Sequence, residues 1–409
     1  MLTGRGVAVL GAGLAMWVVA RTIGAPGLEV VAVGLGALPF VALAFARWGR
    51  RRLVVRRRLS DVRVEPGSRV TVQLDVENRS FAPTSFLLLE DRLPPTLGRP
   101  ARLVVAGIFG RTGQRVTYTV LPQSRGRYRV GPLTVDLADA FGLTRRRMEF
   151  DELDELLVTP EIEDLSVSPD PAQGPSFGLS RARQLLRTGE EYYMMRQYRE
   201  GDDLRRLHWP SVARTGELMI RQDEATRRAS GLVFLDNRQA ALGQIHGAAF
   251  ERAVSAAGSL GVLLARSGFT LRFATTELPA AVLTEDRFLD ALAGVSHATS
   301  RTIGPALAKL RAAASADTSL VLVSAPPSAE ELAPLLRAGA GFGPCLAVFV
   351  YPVDPASLPA DRQAQLEGRA TQARLALTRS GWDCIVISPS MRLSERWHAP
   401  KERLLASNG

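Results

Sequence analysis

The chain begins with two long apolar runs and then changes to short alternating ones. The apolar runs, Gly6 to Ala20 and Val30 to Ala46, contain no charged side chain. Each lies near the lower limit of about 17 to 25 residues for a membrane-spanning helix. Residues 21–29 between them hold glycines, a proline and two charges, as a loop would. The pattern predicts two transmembrane helices joined as a hairpin.

A cluster of arginines follows the second apolar run directly. Its members are Arg47, Arg50, Arg51, Arg52, Arg56, Arg57 and Arg58. The positive-inside rule predicts that this cluster lies at the cytoplasmic membrane surface, with everything after it in the cytoplasm. We therefore expect a multi-pass protein of the cytoplasmic membrane, with residues 1–58 as its anchor. A cleaved signal peptide is the alternative for the first run, because Arg5 precedes it, and even then the second run keeps the bulk inside.

The arginine cluster also explains most of the net charge of +10. Without these seven residues, the 51 basic residues fall almost to the 41 acidic ones. A local excess next to a membrane helix indicates a membrane surface rather than a nucleic acid as the partner. The sequence therefore predicts no nucleic-acid binding.

Residues 59–163 contain short runs in which apolar and polar residues alternate with a period of two, as in β-strands. Val70 to Val76 is the clearest example, since apolar and polar residues alternate along it. Turn formers such as Pro66-Gly67, Pro94-Pro95 and Gly131-Pro132 separate the runs. Alternation with this spacing predicts an antiparallel β-sandwich.

Residues 164–180 are rich in proline, serine and glycine and predict a linker. Residues 181–409 then alternate apolar strand-like runs with helical stretches. The predicted strands are Gly231 to Leu235, Phe269 to Ala274, Ser319 to Val323, Leu346 to Tyr351 and Cys384 to Ile387. The predicted helices are Phe250 to Arg266, Ile303 to Ala314, Ala329 to Ala338 and Ala360 to Ser380. This order predicts a doubly wound α/β domain with a mainly parallel sheet.

The segment Arg196 to Arg221, here called the signature segment, concentrates polar chemistry at the start of this α/β region. It predicts a strand, a short helix capped by Asp202 or Asp203 and ended by Pro210 and Gly216, and a second strand. Its predicted ionic network pairs arginines with acids: Arg196, Arg205 and Arg214 with Asp202, Asp203 and Glu217. Trp209 is expected to pack as a wedge.

Three uses of the signature segment stay open. The network fastens the segment to the sheet, or it docks another protein, or it binds phosphate or nucleic acid. Catalysis is a further alternative, because His208 has the chemistry of an acid or base, although no nucleophile motif accompanies it.

The spacing within this segment resembles the DUF58 family of bacterial proteins. The matching positions are Arg196, Tyr198, Gly201, Asp202, Arg205, Trp209, Ala213, Arg214 and Leu218. Two further stretches resemble family landmarks. They are Arg125-Gly126-Arg127-Tyr128 and Asp139-Ala140-Phe141-Gly142-Leu143, where Ala140 replaces the usual proline.

The resemblance implies that the α/β domain is similar to a von Willebrand factor type A domain, which commonly holds a divalent cation on a D-x-S-x-S loop. Here that loop reads Asp236-Asn237-Arg238-Gln239-Ala240, so both serine positions are replaced. The aspartate expected after Val323 is also missing. Magnesium prefers oxygen ligands. We therefore expect a degenerate site at Asp236, neutralised by Arg238, with neither metal nor other cofactor.

The resemblance also implies a role, because such proteins often accompany MoxR-type AAA+ ATPases. The expected function is that of a membrane-anchored, non-enzymatic adaptor that binds such an ATPase and other proteins during assembly or maturation of membrane or envelope complexes. A metal-dependent ligand-binding domain is one alternative. An enzyme that uses the Arg/Asp/His motif is another.

Overall fold

The computed structural model divides the chain into two compact units, Met1–Thr159 and Pro160–Gly409. It describes residues 2–48, 53–81, 83–84, 86–138, 142–166, 181–182, 185, 193–199, 207, 209–223 and 229–399. Three arginines of the predicted membrane-surface cluster, Arg50, Arg51 and Arg52, therefore lie outside the described residues, as do the side chain of Arg47 and most of the predicted linker.

Two apolar helices begin the first unit, α1 (Gly4–Ile23) and α2 (Pro26–Trp48). Gly24 adopts a left-handed conformation that ends α1, and Pro26 begins α2 because its missing N–H costs nothing there. The connection is therefore shorter than the loop predicted over residues 21–29. A Cβ at Gly13 would lie 2.9 Å from the Gly36 nitrogen, so the two helices approach closely. Both are long and apolar enough to cross a membrane.

Ten strands follow in the described part of the first unit. They are β1 (Leu53–Leu59), β2 (Arg63–Val64), β3 (Val70–Asn78), β4 (Leu87–Asp91), β5 (Ala101–Val105), β6 (Gly113–Val120), β7 (Gly126–Val130), β8 (Leu133–Ala138), β9 (Arg145–Phe150) and β10 (Asp154–Val158). Their sheets have the orders β1-β3-β6, β2-β10-β7 and β5-β4-β8-β9. Alternate residues of β3 are buried, as period two requires. One hydrophobic core receives residues from all three sheets.

A buried arginine connects these three sheets. Arg57 in β1 has a side chain only 4% exposed, and its guanidinium pairs with Asp91 of β4 at 2.7 and 2.9 Å. The same group donates to the Val130 carbonyl of β7 at 2.9 Å and to Asp154 of β10 at 2.9 Å. The Tyr118 hydroxyl of β6 donates to Asp91 Oδ2 at 2.6 Å, the oxygen that also accepts from Arg57 Nε. Each sheet therefore contributes at least one partner to a single polar network.

The environment of Arg57 shifts two pKa values. Burial alone lowers the pKa of the Arg57 guanidinium, but the ion pairs with Asp91 and Asp154 outweigh it and raise this pKa above its ordinary value. Burial, together with the Asp91 charge, raises the pKa of the Tyr118 hydroxyl, which therefore stays protonated and remains a donor.

The placement of Arg57 at the membrane surface, predicted from the sequence, is wrong. Successive side chains of a strand point to opposite faces, so Arg57 turns inward while Arg56 and Arg58 remain on the other face. Of the three arginines in the cluster whose side chains are described, Arg57 is thus structural, whereas Arg56 and Arg58 are exposed.

The start of α1 is attached to the same unit by backbone contacts. The Thr3 nitrogen donates to the Leu143 carbonyl at 2.9 Å, and the Thr3 hydroxyl donates to the Gly142 carbonyl at 2.6 Å. A Cβ at Gly6 would lie only 2.3 Å from the Leu143 oxygen, so glycine is required for this approach. The hairpin is therefore held at both ends, by this contact and by the continuation of α2 toward β1.

The second unit contains the signature hairpin and a six-stranded sheet. The hairpin elements are β11 (Tyr193–Gln197), α3 (Trp209–Thr215) and β12 (Met219–Asp223). The sheet strands are β13 (Ser230–Leu235), β14 (Thr270–Thr275), β15 (Ala281–Val282), β16 (Thr318–Ser324), β17 (Cys345–Val350) and β18 (Asp383–Ile387). The helices after β13 are α4 (Gln239–Leu242), α5 (Ala248–Arg266), α6 (Glu285–Ala293), α7 (Gly304–Ala312), α8 (Ala329–Gly339), α9 (Ala360–Arg379) and α10 (Leu393–Trp397).

The order of this sheet is β15-β14-β13-β16-β17-β18, and only the β14–β15 pair is antiparallel. A hydrophobic cluster covers each face, with α5 and α6 on one side and α7, α8 and α9 on the other. Helix α5 is apolar enough to span a membrane, but most of it is buried against the sheet. The predicted parallel sheet is present, and its order reverses between β13 and β16. At such a switch point, the carboxyl ends of the strands open a crevice.

Replacement of Arg57 by alanine should destabilise the first unit. The change leaves the Asp91 carboxylate, which is 0% exposed, without its guanidinium, and breaking a buried pair costs about 3–5 kcal/mol. Hydrogen–deuterium exchange of the full chain should show faster exchange in β4, β7 and β10. Arg58→Ala is the matched control, because Arg58 is exposed and such changes cost within about 0.5 kcal/mol. Equal exchange in both variants would contradict the proposed role of Arg57.

Candidate functional site

The signature segment forms an antiparallel hairpin whose connection carries a helix. Strands β11 and β12 pair with Gln197 opposite Met219, and the Tyr198 nitrogen donates to the Leu218 carbonyl at 2.8 Å. Leu207 forms an isolated bridge with Ile220, which is buried. The predicted order of strand, short helix and strand is therefore confirmed, and it presents α3 between the two strands.

The predicted start of that helix, capped by Asp202 or Asp203, lies outside the described residues, but the prediction that Pro210 ends the helix is wrong. Helix α3 begins at Trp209, with Pro210 in its first turn rather than at its end. Proline is tolerated there because the first N–H groups of a helix have no intrahelical partner. Gly216, at φ 73°, ends the helix as predicted.

Trp209 does not pack as a wedge. Its side chain is 67% exposed, and no residue of α3 is fully buried. The later start of the helix explains the difference, since Trp209 is the first residue of a two-turn surface helix rather than part of an inward face. Arg214, in the last turn of the same helix, is also exposed, as is Leu218 after it. Helix α3 and the turn after it therefore expose apolar surface and a positive charge.

The predicted ionic network is only partly within the described residues. Gly201, Asp202, Asp203, Arg205 and His208 lie outside them, and so does the side chain of Arg196. Tyr198 is half-buried. The carboxylate of Glu217, predicted to pair with an arginine, accepts a hydrogen bond from the Gln197 amide across the hairpin. The rest of the network stays a prediction.

The second candidate site is the switch-point edge of the sheet, where Asp236 follows β13. Asp236 is 1% exposed, and the Arg238 guanidinium donates to both of its oxygens, at 2.8 and 2.7 Å. The hydroxyl of Thr276 donates to the same carboxylate at 3.2 Å. Arg238 also donates to Glu331, at the start of α8, at 2.8 Å, and to the Arg301 carbonyl at 3.1 Å. The predicted neutralisation of Asp236 by Arg238 is therefore present.

The electrostatics of this edge follow from the same contacts. Burial lowers the pKa of the Arg238 guanidinium, but its bonds to Asp236 and Glu331 outweigh this, so the net change is upward. Burial raises the pKa of the Glu331 carboxyl, yet the hydrogen bond from the Ser328 backbone and the bond from Arg238 together bring it below its ordinary value. The Glu331 carboxylate thus remains charged at neutral pH beside the Arg238 cation.

The residues at this edge do not fit the divalent cation that a von Willebrand A-type loop would hold. Both oxygens of Asp236 already accept hydrogen bonds from a guanidinium. The Asn237 side chain is engaged in donating to the Ser296 carbonyl at 2.7 Å and in accepting from the Thr276 nitrogen at 3.1 Å. Within the described residues, no group of three or more His, Cys, Asp or Glu side chains has a metal-binding arrangement. Arg238 supplies the positive charge that a metal ion would otherwise supply.

Arg238→Ala should destabilise the second unit by about 3–5 kcal/mol, because a buried carboxylate loses its cation. Urea unfolding of the full chain, followed by the fluorescence of the buried Trp382 and Trp397, measures this change. Arg337→Ala, on the exposed face of α8, is the control and should leave the midpoint within about 0.5 kcal/mol of the wild type. A wild-type midpoint for Arg238→Ala would contradict this structural role.

Glu331→Gln tests the pH dependence of the same edge. The folded-state pKa of Glu331 is lowered, so its stabilising contribution is complete above the ordinary glutamate pKa of about 4.3 and is lost as pH falls through the folded value. The variant should therefore be less stable than the wild type at neutral pH, and the difference should shrink in acid. The same urea titration measures it, and a difference that stays constant across this range would contradict the assignment.

A known protein family matches the part of the chain that contains the signature segment. Residues 194–382 match the family described as "Protein of unknown function DUF58". The chain is similar to "Uncharacterized protein YeaD" of Bacillus subtilis (strain 168), with 24% identity over 232 residues. That match covers 54% of this chain and 56% of the relative, so the chain spans about half of the relative's length.

Among solved structures, a CARDB domain from Pyrococcus furiosus gives a TM-score of 0.21 at 12% identity, over 26% of this chain and 91% of that one. The GAE domain of GGA2p from Saccharomyces cerevisiae gives 0.19 at 14% identity, over 25% and 91%. TM-scores this low carry no argument about fold or function. The family match includes the signature segment and the edge at Asp236, so both candidate sites lie in the part of the chain that is similar to DUF58.

Proposed function

We propose that this protein is a membrane-anchored adaptor whose signature hairpin docks another protein. The observation that carries the proposal is the exposure of Trp209 on α3, and Arg214 and Leu218 of the same hairpin connection are exposed as well. Tryptophan and arginine are enriched among the residues that dominate protein interfaces. A large aromatic side chain held at a helix start, on a hairpin fixed by β pairing, is already in position for a partner.

The anchor in this proposal is the hairpin of α1 and α2. Apolar side chains cover most of the outer surface of both helices, for example Leu14, Val33 and Phe40. In water this surface is unfavourable, whereas in a bilayer it is solvated by lipid. In this proposal the β-strands of the first unit and the whole second unit lie on the cytoplasmic side, which is supported by the arginines of residues 47–58 other than Arg57.

The same proposal gives each of the two units a specific fold. The first unit is a β-sandwich, which is supported by one core shared among antiparallel strands. The second is a von Willebrand A-like domain that has exchanged a metal ion for Arg238, which is supported by the strand order and by the ion pair with Asp236. Its role is to bind proteins without catalysis.

The proposed partner is a MoxR-type AAA+ ATPase, and the proposed process is assembly or maturation of membrane or envelope complexes. This partner comes from the DUF58 resemblance of the signature segment. The exposed surface of α3 supports a protein partner, since it joins apolar side chains to a single exposed arginine rather than to a basic stripe of the kind that tracks nucleic acid.

Trp209→Ala should weaken recovery of the ATPase when the full chain is purified from solubilised membranes. Loss of a dominant interface residue costs at least about 2 kcal/mol, or roughly 30-fold in affinity. Arg214→Ala should act in the same direction. Quantitative mass spectrometry of the co-purified proteins provides the measurement.

The matched control is Arg362→Ala, which removes an exposed arginine from α9, outside the signature segment. This variant should recover the partner at the wild-type level. Because Trp209 is exposed, its variant should also keep the wild-type urea midpoint. Unchanged recovery in both signature variants would overturn docking by α3.

A further inference from the structure

Three phenylalanine side chains are exposed in two neighbouring connections of the first unit. Phe81 and Phe86 lie between β3 and β4, and Phe109 lies between β5 and β6. They are 71%, 61% and 75% exposed. No other phenylalanine among the described residues after α2 is exposed. Each side chain keeps a large apolar surface in contact with water, which is unfavourable unless something covers it.

Hydrogen bonds hold these two connections side by side. The buried Asn78 amide donates to the carbonyls of Ile108 and Phe109, at 3.1 and 3.3 Å. The backbone nitrogen of Arg111 donates to the Ser80 carbonyl at 2.9 Å. A Cβ at Gly110 would lie 2.0 Å from the Phe81 oxygen, so the two backbones touch. The exposure of the phenylalanines is therefore built into a fixed loop pair, called here the phenylalanine end.

The strand registers place the phenylalanine end where the membrane helices enter. Strand β1 starts shortly after α2 ends, and its first residue, Leu53, pairs with Asn78, the last residue of β3. The connection from β3 therefore departs where β1 begins. Leu87 at the start of β4 pairs with Val105 at the end of β5, which puts the second connection at the same end.

The attachment of α1 gives the same location independently. Leu87 also pairs with Leu137, close to the end of β8, and the chain then runs to Gly142 and Leu143, which bind Thr3. The start of α1, the start of β1 and the phenylalanine end thus share one end of the β unit.

The charges at this end suit a lipid surface. The Arg111 guanidinium lies over the Phe81 ring, 4.0 Å from its centre, and the exposed Arg79 nearby pairs with Glu77 at 3.1 Å. Basic groups around an apolar tip favour the interface of a bilayer that contains anionic lipids, where the rings enter the acyl boundary and the cations meet the headgroups.

We propose that the phenylalanine end inserts into the bilayer interface beside the hairpin, so that the β unit lies against the membrane at a fixed orientation. The occupant of this surface is lipid, because the phenylalanine end lies at the end of the β unit to which both apolar helices attach. This inference rests on the membrane anchor proposed above.

Insertion can be tested with the full chain in nanodiscs of phosphatidylcholine and phosphatidylglycerol. Phe81→Cys and Phe109→Cys variants carry an environment-sensitive fluorophore. The matched control is Val62→Cys, because Val62 is also exposed but follows β1, whose last residue, Leu59, pairs with Val72 near the start of β3. Burial raises the pKa of the Cys345 and Cys384 thiols to about 12, so both native cysteines react slowly at neutral pH. The labelled wild-type chain measures their background.

We expect the emission at both phenylalanine positions to shift to shorter wavelength and to lose intensity when the lipids carry spin labels on their acyl chains. The control should show neither change. Water-like emission at both positions, from a chain that enters the nanodiscs, would overturn insertion and leave the anchor standing. Shifted emission without quenching by lipid would mean that a protein surface covers these loops, and would overturn the lipid assignment. A full chain that does not enter the nanodiscs would overturn the anchor itself, and the inference with it.

Discussion

The main constraint on this molecule is that both ends of an apolar hairpin are fixed to one end of a β unit. The Thr3 contacts with Gly142 and Leu143 hold the start of α1, and the continuation of α2 into β1 holds the other. Helices this apolar are unfavourable in water. In the proposed arrangement, the β unit therefore lies against the membrane surface, and the second unit lies on the same side of the membrane.

Two buried arginines stabilise the two units in the same physical way. Arg57 joins partners from all three sheets of the β unit, and Arg238 joins Asp236 to Glu331 across the switch-point edge. A guanidinium has five donors in a fixed plane, so one side chain satisfies several buried acceptors at once. This chemistry also leaves the sheet edge without free carboxylate oxygens for a metal ion. Recognition in our proposal therefore depends on the surface of α3.

The apolar hairpin, the alternating strands and the parallel sheet were predictable because each depends on a periodic pattern of burial. Residues 230–387 illustrate this, since the predicted strands agree with the observed ones to within about one residue at each end. Single side chains were less predictable. Arg57 is the middle one of three consecutive arginines, and only the position at which the strand begins decides which of them faces the core. The exposure of Trp209 depends on where a short helix begins. The phenylalanine end was missed, because its residues are far apart in sequence and only the strand registers bring them together.

The most direct test of the account is the side of the membrane on which the carboxy-terminal unit lies. Intact spheroplasts that produce the chain with a carboxy-terminal epitope can be treated with protease, and the epitope can be followed before and after lysis. The hairpin and its arginine cluster predict that the epitope survives until the membrane is broken. Digestion from outside intact spheroplasts would contradict the orientation, and with it the cytoplasmic adaptor role.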